Sequence, residues 1–414
     1  IIDEVFGKNR IQYHDDFDDW WMYESENFVT YWYGKGRNVA ESVIQLAELD
    51  YQSIQNVLEH RFNDKIQIIV YLDVTDMKQS NIGLEDIFGS RNGRTRIMEN
   101  KMFVYFNGDH QDLRDRIRQG IAEIYLESML YGSNLQEVVQ NAVLLHLPDW
   151  FKEGMIRYMG TEWNSDVDNE LRDLFMLPKE KYQDFDKLAR DYPGIAGHSM
   201  WYFIGEIYGK STISNVLYLT RINRNLESAF VYVIGYDLKQ IKAEWSNYFQ
   251  QRFAAQSDAL ERHSNDMQIE IKNKRNLPYT SLTLSPDQKY LAYARNEEGK
   301  VKIYIRDVNS GETFRIYKYG IKNIIQETDY EYPVITWHPN GRVITIIHEK
   351  RDIIKLVQID LDKGTMTTQP LDPQFDRIYS ADHWTADTLM FAASTDGYSD
   401  IYKYIPKTRQ TIQI

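Results

Sequence analysis

Residues 111–154 read QDLRDRIRQGIAEIYLESMLYGSNLQEVVQNAVLLHLPDWFKEG. The first half of this stretch spaces Leu113, Ile117, Ile121 and Ile124 three or four residues apart, which is typical of one apolar face of an α-helix. The second half ends in LPDWFKEG, so that the sequence Trp-Phe-x-Glu-Gly follows a loop. The stretch therefore predicts a helix, a loop and the start of a second helix.

This order is the layout of a zinc-peptidase site. In His-Glu-x-x-His, two imidazoles at i and i+4 bind zinc, the Glu between them activates water, and a following helix can supply a third ligand. The segment resembles the peptidase-MA-like (gluzincin-type) domains of Bacteroidota envelope proteins, in which such a domain precedes a propeller similar to that of TolB. The stretches that also carry this resemblance are residues 6–13, 104–108, 197–199 and 208–209.

The zinc motif itself is degenerate. Without a gap, His-Glu-x-x-His falls on Gln119-Gly120-Ile121-Ala122-Glu123, and Glu153 takes the distal ligand position. A neutral amide is a poor zinc ligand, and glycine cannot transfer a proton. We therefore expect a zincin-like fold without peptidase activity, catalytic residues, metal or cofactor.

Each polar residue of the motif also has a structural interpretation. Gln119 and Glu123 can form an i,i+4 pair on a helix face. Glu153 is expected either to form a salt bridge, with Arg118 or Arg157 as candidates, or to cap backbone groups in the old cleft.

Two relocated sites are weaker alternatives. A relocated metal site would use His110, His146 and His198. None of these lies three or four residues from another, so the usual spacing of metal-binding histidines is missing. A calcium loop would use the alternating carboxylates Asp166, Asp168 and Glu170, but it lacks the EF-hand spacing. We favour ordinary histidines and a solvated acidic loop.

Composition excludes several classes of protein. The 414 residues carry a net charge of −13 and no basic run, which argues against binding to nucleic acid. There is no cysteine, and no apolar run approaches the roughly 20 residues of a membrane span. The abrupt start at Ile1-Ile2-Asp3 suggests a processed or trimmed end, and the resemblance implies an exported protein.

The first 254 residues predict an α+β domain with a helical second lobe. Strands are expected at residues 28–33, 65–73 and 96–107, because β-branched and aromatic residues dominate there. A helix capped by Asn38 is expected to run to about residue 62. Residues 169–253 have a helical pattern throughout, and the polar residues 255–276 predict a linker.

Residues 277–414 contain an internal repeat. The turn Ser285-Pro286-Asp287 returns fifty-three residues later as His338-Pro339-Asn340, and a weaker copy is Thr385-Ala386-Asp387. Each copy is followed by an apolar strand and a glycine-containing hairpin. A period near 50 residues predicts propeller blades, here about three, and the unit resembles the TolB-type blade. Because closed rings need about four to eight blades, we expect the ring to continue beyond Ile414.

These observations favour a non-catalytic scaffold that binds other proteins. The resemblance implies envelope partners in the periplasm or at the outer membrane, with outer-membrane protein assembly, secretion or gliding as roles. One alternative is a zinc peptidase with a rearranged site that uses Glu123, Glu153 and a histidine. Another is a module that binds glycan or peptidoglycan through its aromatic N-terminal segment and cleft.

Overall fold

The computed structural model describes residues 19–72, 76–77, 96–132, 145–259, 269, 277–322, 328–351 and 353–414. Two features singled out in the sequence, residues 6–13 and most of the linker 255–276, lie outside these ranges. The described part consists of an α+β region that ends at Ala259 and an all-β region that begins at residue 277. The predicted order of an α+β region followed by an all-β region is confirmed.

The α+β region is built on a mixed five-stranded sheet with the order β1-β2-β3-β5-β4. Strands β2, β3 and β5 are parallel, and β1 and β4 are antiparallel edge strands. The predicted strand at 96–107 is a hairpin instead, because Glu99 turns the chain with φ of 56°. The strands are β1 Trp20–Glu24, β2 Phe28–Tyr33, β3 Ile66–Tyr71, β4 Arg96–Met98 and β5 Lys101–Tyr105.

Helix α1, Arg37–Leu58, connects the parallel strands β2 and β3. Its buried face repeats at helical spacing and includes Val39, Val43 and Leu58. The predicted cap at Asn38 is wrong, because the helix begins after Gly36 and Asn38 lies in its first turn. The helix also ends four residues before the predicted position.

Eight further α-helices of the described chain follow β5. They are α2 His110–Tyr131, α3 Asp149–Gly160, α4 Ser165–Phe175, α5 Phe185–Asp191, α6 Pro193–Tyr208, α7 Ser211–Asn223, α8 Leu226–Ile234 and α9 Leu238–Ala259, with a 3₁₀ turn at Pro178–Gln183. The predicted helical second lobe is confirmed, and α9 extends into the first residues of the predicted linker. One hydrophobic core joins these helices to the helix-covered face of the sheet.

The all-β region consists of three antiparallel four-stranded sheets, here named blades 1, 2 and 3. The predicted three repeats are thereby confirmed, each with a fourth strand. Blade 1 contains β6 Tyr279–Leu284, β7 Tyr290–Glu297, β8 Lys300–Asp307 and β9 Thr313–Tyr319. Blade 2 contains β10 Val334–Trp337, β11 Val343–Glu349, β12 Ile354–Asp360 and β13 Thr365–Pro370. Blade 3 contains β14 Arg377–Thr385, β15 Thr388–Thr395, β16 Tyr398–Ile405 and β17 Gln410–Gln413.

The blades pack face to face through apolar side chains. Ile303 of blade 1 and Ile346 of blade 2 share one buried cluster, and Leu356 of blade 2 and Phe391 of blade 3 share another. Asp307 closes the hairpin between β8 and β9 by accepting hydrogen bonds from the Asn309 and Ser310 N–H groups, at 2.9 and 2.7 Å. Such side-chain turns explain the pattern Asp-x-x-x-Gly at residues 307–311, which recurs at residues 360–364.

Candidate functional site

Helix α2 carries Gln119, Gly120 and Glu123, the residues that the sequence aligns with the zinc motif. Asp109 caps its N-terminus, accepting hydrogen bonds from the Gln111 and Asp112 N–H groups at 2.8 and 3.2 Å. The motif positions Gln119 and Glu123 are buried, with exposed fractions of 6% and 5%. Both side chains are therefore enclosed in the protein, and their i,i+4 pairing stays a prediction.

Gln119 fills a space left by a glycine on the neighbouring helix. A Cβ atom on Gly160 of α3 would lie 2.1 Å from Cγ of Gln119, so no larger residue fits without displacement. The Gln119 amide donates to the Thr161 hydroxyl at 3.4 Å, and that hydroxyl donates to Asp115 at 3.0 Å. The first ligand position of the motif is thus closed by packing.

The register of α2 against α3 places Glu153 away from Gln119. Gln119 meets Gly160, whereas Glu127, two turns further along α2, accepts a 2.7 Å salt bridge from Lys152. The two helices therefore run antiparallel, and Glu153 lies beside the turn of α2 that carries Glu127. Gly160 is seven residues beyond Glu153, which corresponds to about 10 Å along the helix axis.

The donor set does not fit a zinc ion. Gln119 offers a neutral amide already held by packing, and Glu153 lies near the other end of the helix pair. Within the described ranges, no group of three or more His, Asp or Glu side chains could hold a metal. The three histidines do not converge: His110 and His146 are exposed, and His198 is fully buried.

Glu153 is half-buried, and its predicted salt bridge is wrong. Among the described residues, Glu153 forms no ion pair, because the two candidate arginines bind elsewhere: Arg157 pairs with Glu170, and Arg118 pairs with Asp50. Burial, reinforced by the charge of Asp149, raises the pKa of Glu153 to about 7, and Lys152 opposes this only partly. The carboxyl group is therefore largely neutral below pH 7.

The polar contact that joins α1 to α2 was not predicted. Asp50 of α1 accepts two hydrogen bonds from Arg114 at 2.6 and 2.7 Å and one from Arg118 at 2.9 Å. Burial of Asp50 opposes its ionisation, but the Arg114 hydrogen bond and the two arginine charges prevail and lower its pKa. The sequence signal was an aspartate among the apolar positions of α1.

The acidic alternation after α3 forms a helix rather than a loop. Asp168 is buried in the first turn of α4 and pairs with Arg252 of α9 at 2.8 Å. Asp168 also accepts hydrogen bonds from the Trp163 indole at 3.1 Å and the Gln256 amide at 2.9 Å. The predicted loop is therefore wrong, and Asp168 is not solvated, whereas Asp166 and Glu170 are exposed as expected.

Helices α3 and α6 cross at two glycines. A Cβ atom on Gly197 would lie 1.8 Å from the Trp150 carbonyl oxygen and 2.6 Å from Cα of Gly154. The next residue, His198, is completely buried against the rings of Tyr158 and Trp163, and neither of its ring nitrogens has a hydrogen-bond partner among the described residues. Burial, with the nearby charge of Arg157, holds the pKa of His198 well below its usual range.

Blade 3 contacts the α+β region at the first turns of α1 and α2. Asn38 donates to the backbone oxygen and the carboxylate of Asp396 at 3.2 and 3.1 Å. Ser399 donates to the Gly108 carbonyl at 3.3 Å. Gly108 has φ of +90°, and a Cβ atom there would lie 1.7 Å from the Tyr379 ring. We call this contact the junction.

A charged network extends the junction to blade 2. Arg377 is buried and donates to Asp329 at 3.0 and 3.1 Å and to Glu331 at 3.0 Å. Asn107, just before α2, donates to Glu331 at 3.3 Å and to Asp112 at 2.9 Å. The helix that carries the degenerate motif is therefore attached to the propeller at its N-terminal end.

A cavity of about 630 Å³ lies on the sheet face beside α1, distant in sequence from the motif. Its aromatic lining residues are Trp21, Tyr23 and Trp32. Trp21 and Tyr23 belong to β1, and Trp32 belongs to β2.

No protein-family model matches the chain, and no curated protein matches it. Among solved structures, it is similar to TolB from Acinetobacter baumannii, with 18% identity, a TM-score of 0.28, and coverage of 33% of this chain and 32% of that one. It is similar to the β-propeller domain of the Trilobed protease from Pyrococcus furiosus, with 19% identity, a TM-score of 0.24, and coverage of 33% and 42%. It is also similar to the putative TolB from Agrobacterium tumefaciens, with 17% identity, a TM-score of 0.21, and coverage of 33% and 62%. The matches thus span from about a third to under two thirds of these three structures' lengths.

No helix in the described ranges is both long and apolar enough to span a membrane.

Proposed function

We propose that the protein is a non-catalytic scaffold that binds other proteins at the cell envelope. The observation that carries this proposal is the packing of Gln119 against Gly160, which occupies the first ligand position of the zinc motif. The absence of a proton-transferring side chain at Gly120 supports it as well. In this proposal, the zincin-like domain keeps its architecture and serves as a binding surface.

The junction supports a scaffold of two regions that present one surface. Asn38, Gly108 and Asn107 each contact the blades, so the α+β region offers fixed points to the propeller. A partner that spans both regions would meet a surface that is already organised, which lowers the cost of binding. The resemblance to Bacteroidota envelope proteins suggests export and a partner from outer-membrane protein assembly, secretion or gliding.

The first test concerns catalysis and zinc. Purified full-length protein, treated with a chelator and dialysed, is titrated with Zn²⁺ by calorimetry and incubated with fluorogenic casein. We expect neither stoichiometric zinc binding nor zinc-dependent cleavage. Zinc that binds the wild type and Glu162→Ala, but not Glu153→Ala, would contradict the proposal and favour the rearranged peptidase.

The second test concerns partners. A photo-cross-linking residue is placed at Tyr398, which is 66% exposed and adjoins the junction residue Ser399, or at Tyr232 of α8, which is 78% exposed. After irradiation of cells, we expect a discrete adduct in the envelope fraction from position 398 and none from position 232. Absence of an adduct at both positions would contradict a scaffold that binds through the junction surface.

A further inference from the structure

The edge hairpin of the sheet presents three aromatic rings on one face. Trp21 of β1 lies directly opposite Trp32 of β2 in the antiparallel pairing, and Tyr23 is two residues from Trp21. Because side chains alternate along a strand, these three share a face. The intervening Trp20 packs on the other face, 5.1 Å from the Tyr33 ring.

Helix α1 forms the second wall of this aromatic groove. The turn after β2 is tight, because a Cβ atom on Gly36 would lie 3.0 Å from the Tyr33 carbonyl oxygen. The first turn of α1 therefore stands directly beside Trp32. Arg37, Glu41 and Gln45 follow at four-residue spacing and line the groove, which encloses about 630 Å³. Small-molecule sites typically enclose about 300 to 1,000 Å³.

The aromatic floor is open to water. Trp21 is 60% exposed and Tyr23 is 58% exposed, although the sheet beneath them has buried neighbours such as Thr30, at 1%. Large aromatic groups exposed side by side in a concave groove mark a binding surface more strongly than isolated exposed residues do.

The groove wall carries no net charge. Arg37 and Glu41 neutralise each other through a 2.8 Å ion pair, and Gln45 adds a neutral amide. A charged ligand would therefore find no uncompensated opposite charge, whereas a ligand rich in hydroxyl groups would find both donors and acceptors. The groove lies on the sheet face rather than along the free edge of β1, where an added peptide strand would pair.

We propose that this groove binds an oligosaccharide of pyranose units. A pyranose presents C–H groups on its ring face, and these carry partial positive charge that the negative face of an indole or phenol ring attracts. Its equatorial hydroxyl groups reach Gln45 and the Arg37–Glu41 pair. This site is separate from the surface invoked for the scaffold, so the two proposals can fail independently.

The test is calorimetry of the full-length protein with three separate tetrasaccharides: β-1,4-linked N-acetylglucosamine, cellotetraose and maltotetraose. We expect at least one to bind and Trp21→Ala to weaken it by about fivefold or more. The matched control is Trp384→Ala on blade 3, where an equally exposed tryptophan (63%) is removed and the affinity should not change. Unchanged far-ultraviolet circular dichroism spectra and unchanged urea-unfolding midpoints establish that each variant is folded.

Three results would overturn the proposal. The first is that none of the sugars binds at millimolar concentration. The second is that Trp21→Ala and Trp384→Ala change the affinity for the sugar equally. An acetylated apolar hexapeptide that binds wild type, but not Trp21→Ala, while the sugars do not bind, would assign the groove to peptides instead.

Discussion

Replacing Glu153 by glutamine should stabilise the α+β region at pH 8 and stabilise it much less at pH 5. In the folded protein, burial and the charge of Asp149 raise the pKa of Glu153 to about 7, from an ordinary value near 4.5 in the unfolded chain. Between these two pKa values the glutamate is ionised in the unfolded chain but still protonated in the folded protein. Folding therefore becomes less favourable as the pH rises from about 4.5 to 7, and the full cost is present above pH 7.

The magnitude follows from the size of that pKa difference. Complete conversion at 1.36 kcal/mol per pH unit would give roughly 3 kcal/mol. Because Glu153 is only half-buried, solvent screens part of the effect, and we expect about 1 to 2 kcal/mol. Glutamine has nearly the same shape and no charge, so it removes this cost, which grows as the glutamate of the unfolded chain ionises.

The assay is urea unfolding at pH 5 and pH 8, followed by circular dichroism at 222 nm, because all described helices belong to the α+β region. The control is Glu162→Gln at an exposed position, which should change stability by no more than about 0.5 kcal/mol at either pH. If Glu153→Gln destabilises the protein at pH 8, then Glu153 is an ionised and paired group, and the reasoning is refuted. An equal effect at both pH values would also refute it.

Three further substitutions test the packing around the motif. Gly197→Ala should lower the free energy of unfolding by about 2 to 4 kcal/mol in urea titrations, because the new Cβ atom meets backbone atoms. The control is Gly194→Ala in the same helix, where the nearest atoms are 3.9 and 4.0 Å away. It should leave the free energy of unfolding unchanged or raise it by up to about 1 kcal/mol. Gly108→Ala should loosen the junction, because the new Cβ atom meets the Tyr379 ring and φ is +90°. Hydrogen exchange should then rise in peptides 104–112 and 394–402. Adding Tyr379→Ala to Gly108→Ala should partly restore protection. His198→Leu should gain stability relative to wild type as the pH falls below about 6.5, since the unfolded histidine takes up a proton that the buried one refuses; equal pH profiles in urea unfolding would contradict this.

The propeller repeat could be predicted because its signals are local. Each hairpin needs particular backbone angles within a few residues, so Asp307 and Asp360 recur where their carboxylates accept hydrogen bonds from the next turn. The helical second lobe was equally accessible from its apolar spacing. Local rules failed for the strand predicted at 96–107, where a single residue with positive φ, Glu99, divides it into two strands.

The polar contacts could not be predicted because their partners are distant in sequence. Asp168 pairs with Arg252, and Asn38 bonds to Asp396 across the junction. A single sequence carries no information about which of many charged residues a carboxylate will meet. Hence the sequence predicts a solvated loop at Asp168 and a helix cap at Asn38, where the structure has these two contacts instead.

Helix α2 has a structural use along most of its length that is independent of zinc chemistry. Its capped N-terminus adjoins the junction at Gly108, its arginines hold Asp50 of α1, Gln119 fills the space beside Gly160, and Glu127 binds Lys152. None of these contacts requires an imidazole or a water-activating carboxylate. The contacts between the sheet, the second lobe and the propeller therefore do not depend on a metal site in α2. A helix with these contacts suits the proposed role of the protein as a non-catalytic binding surface.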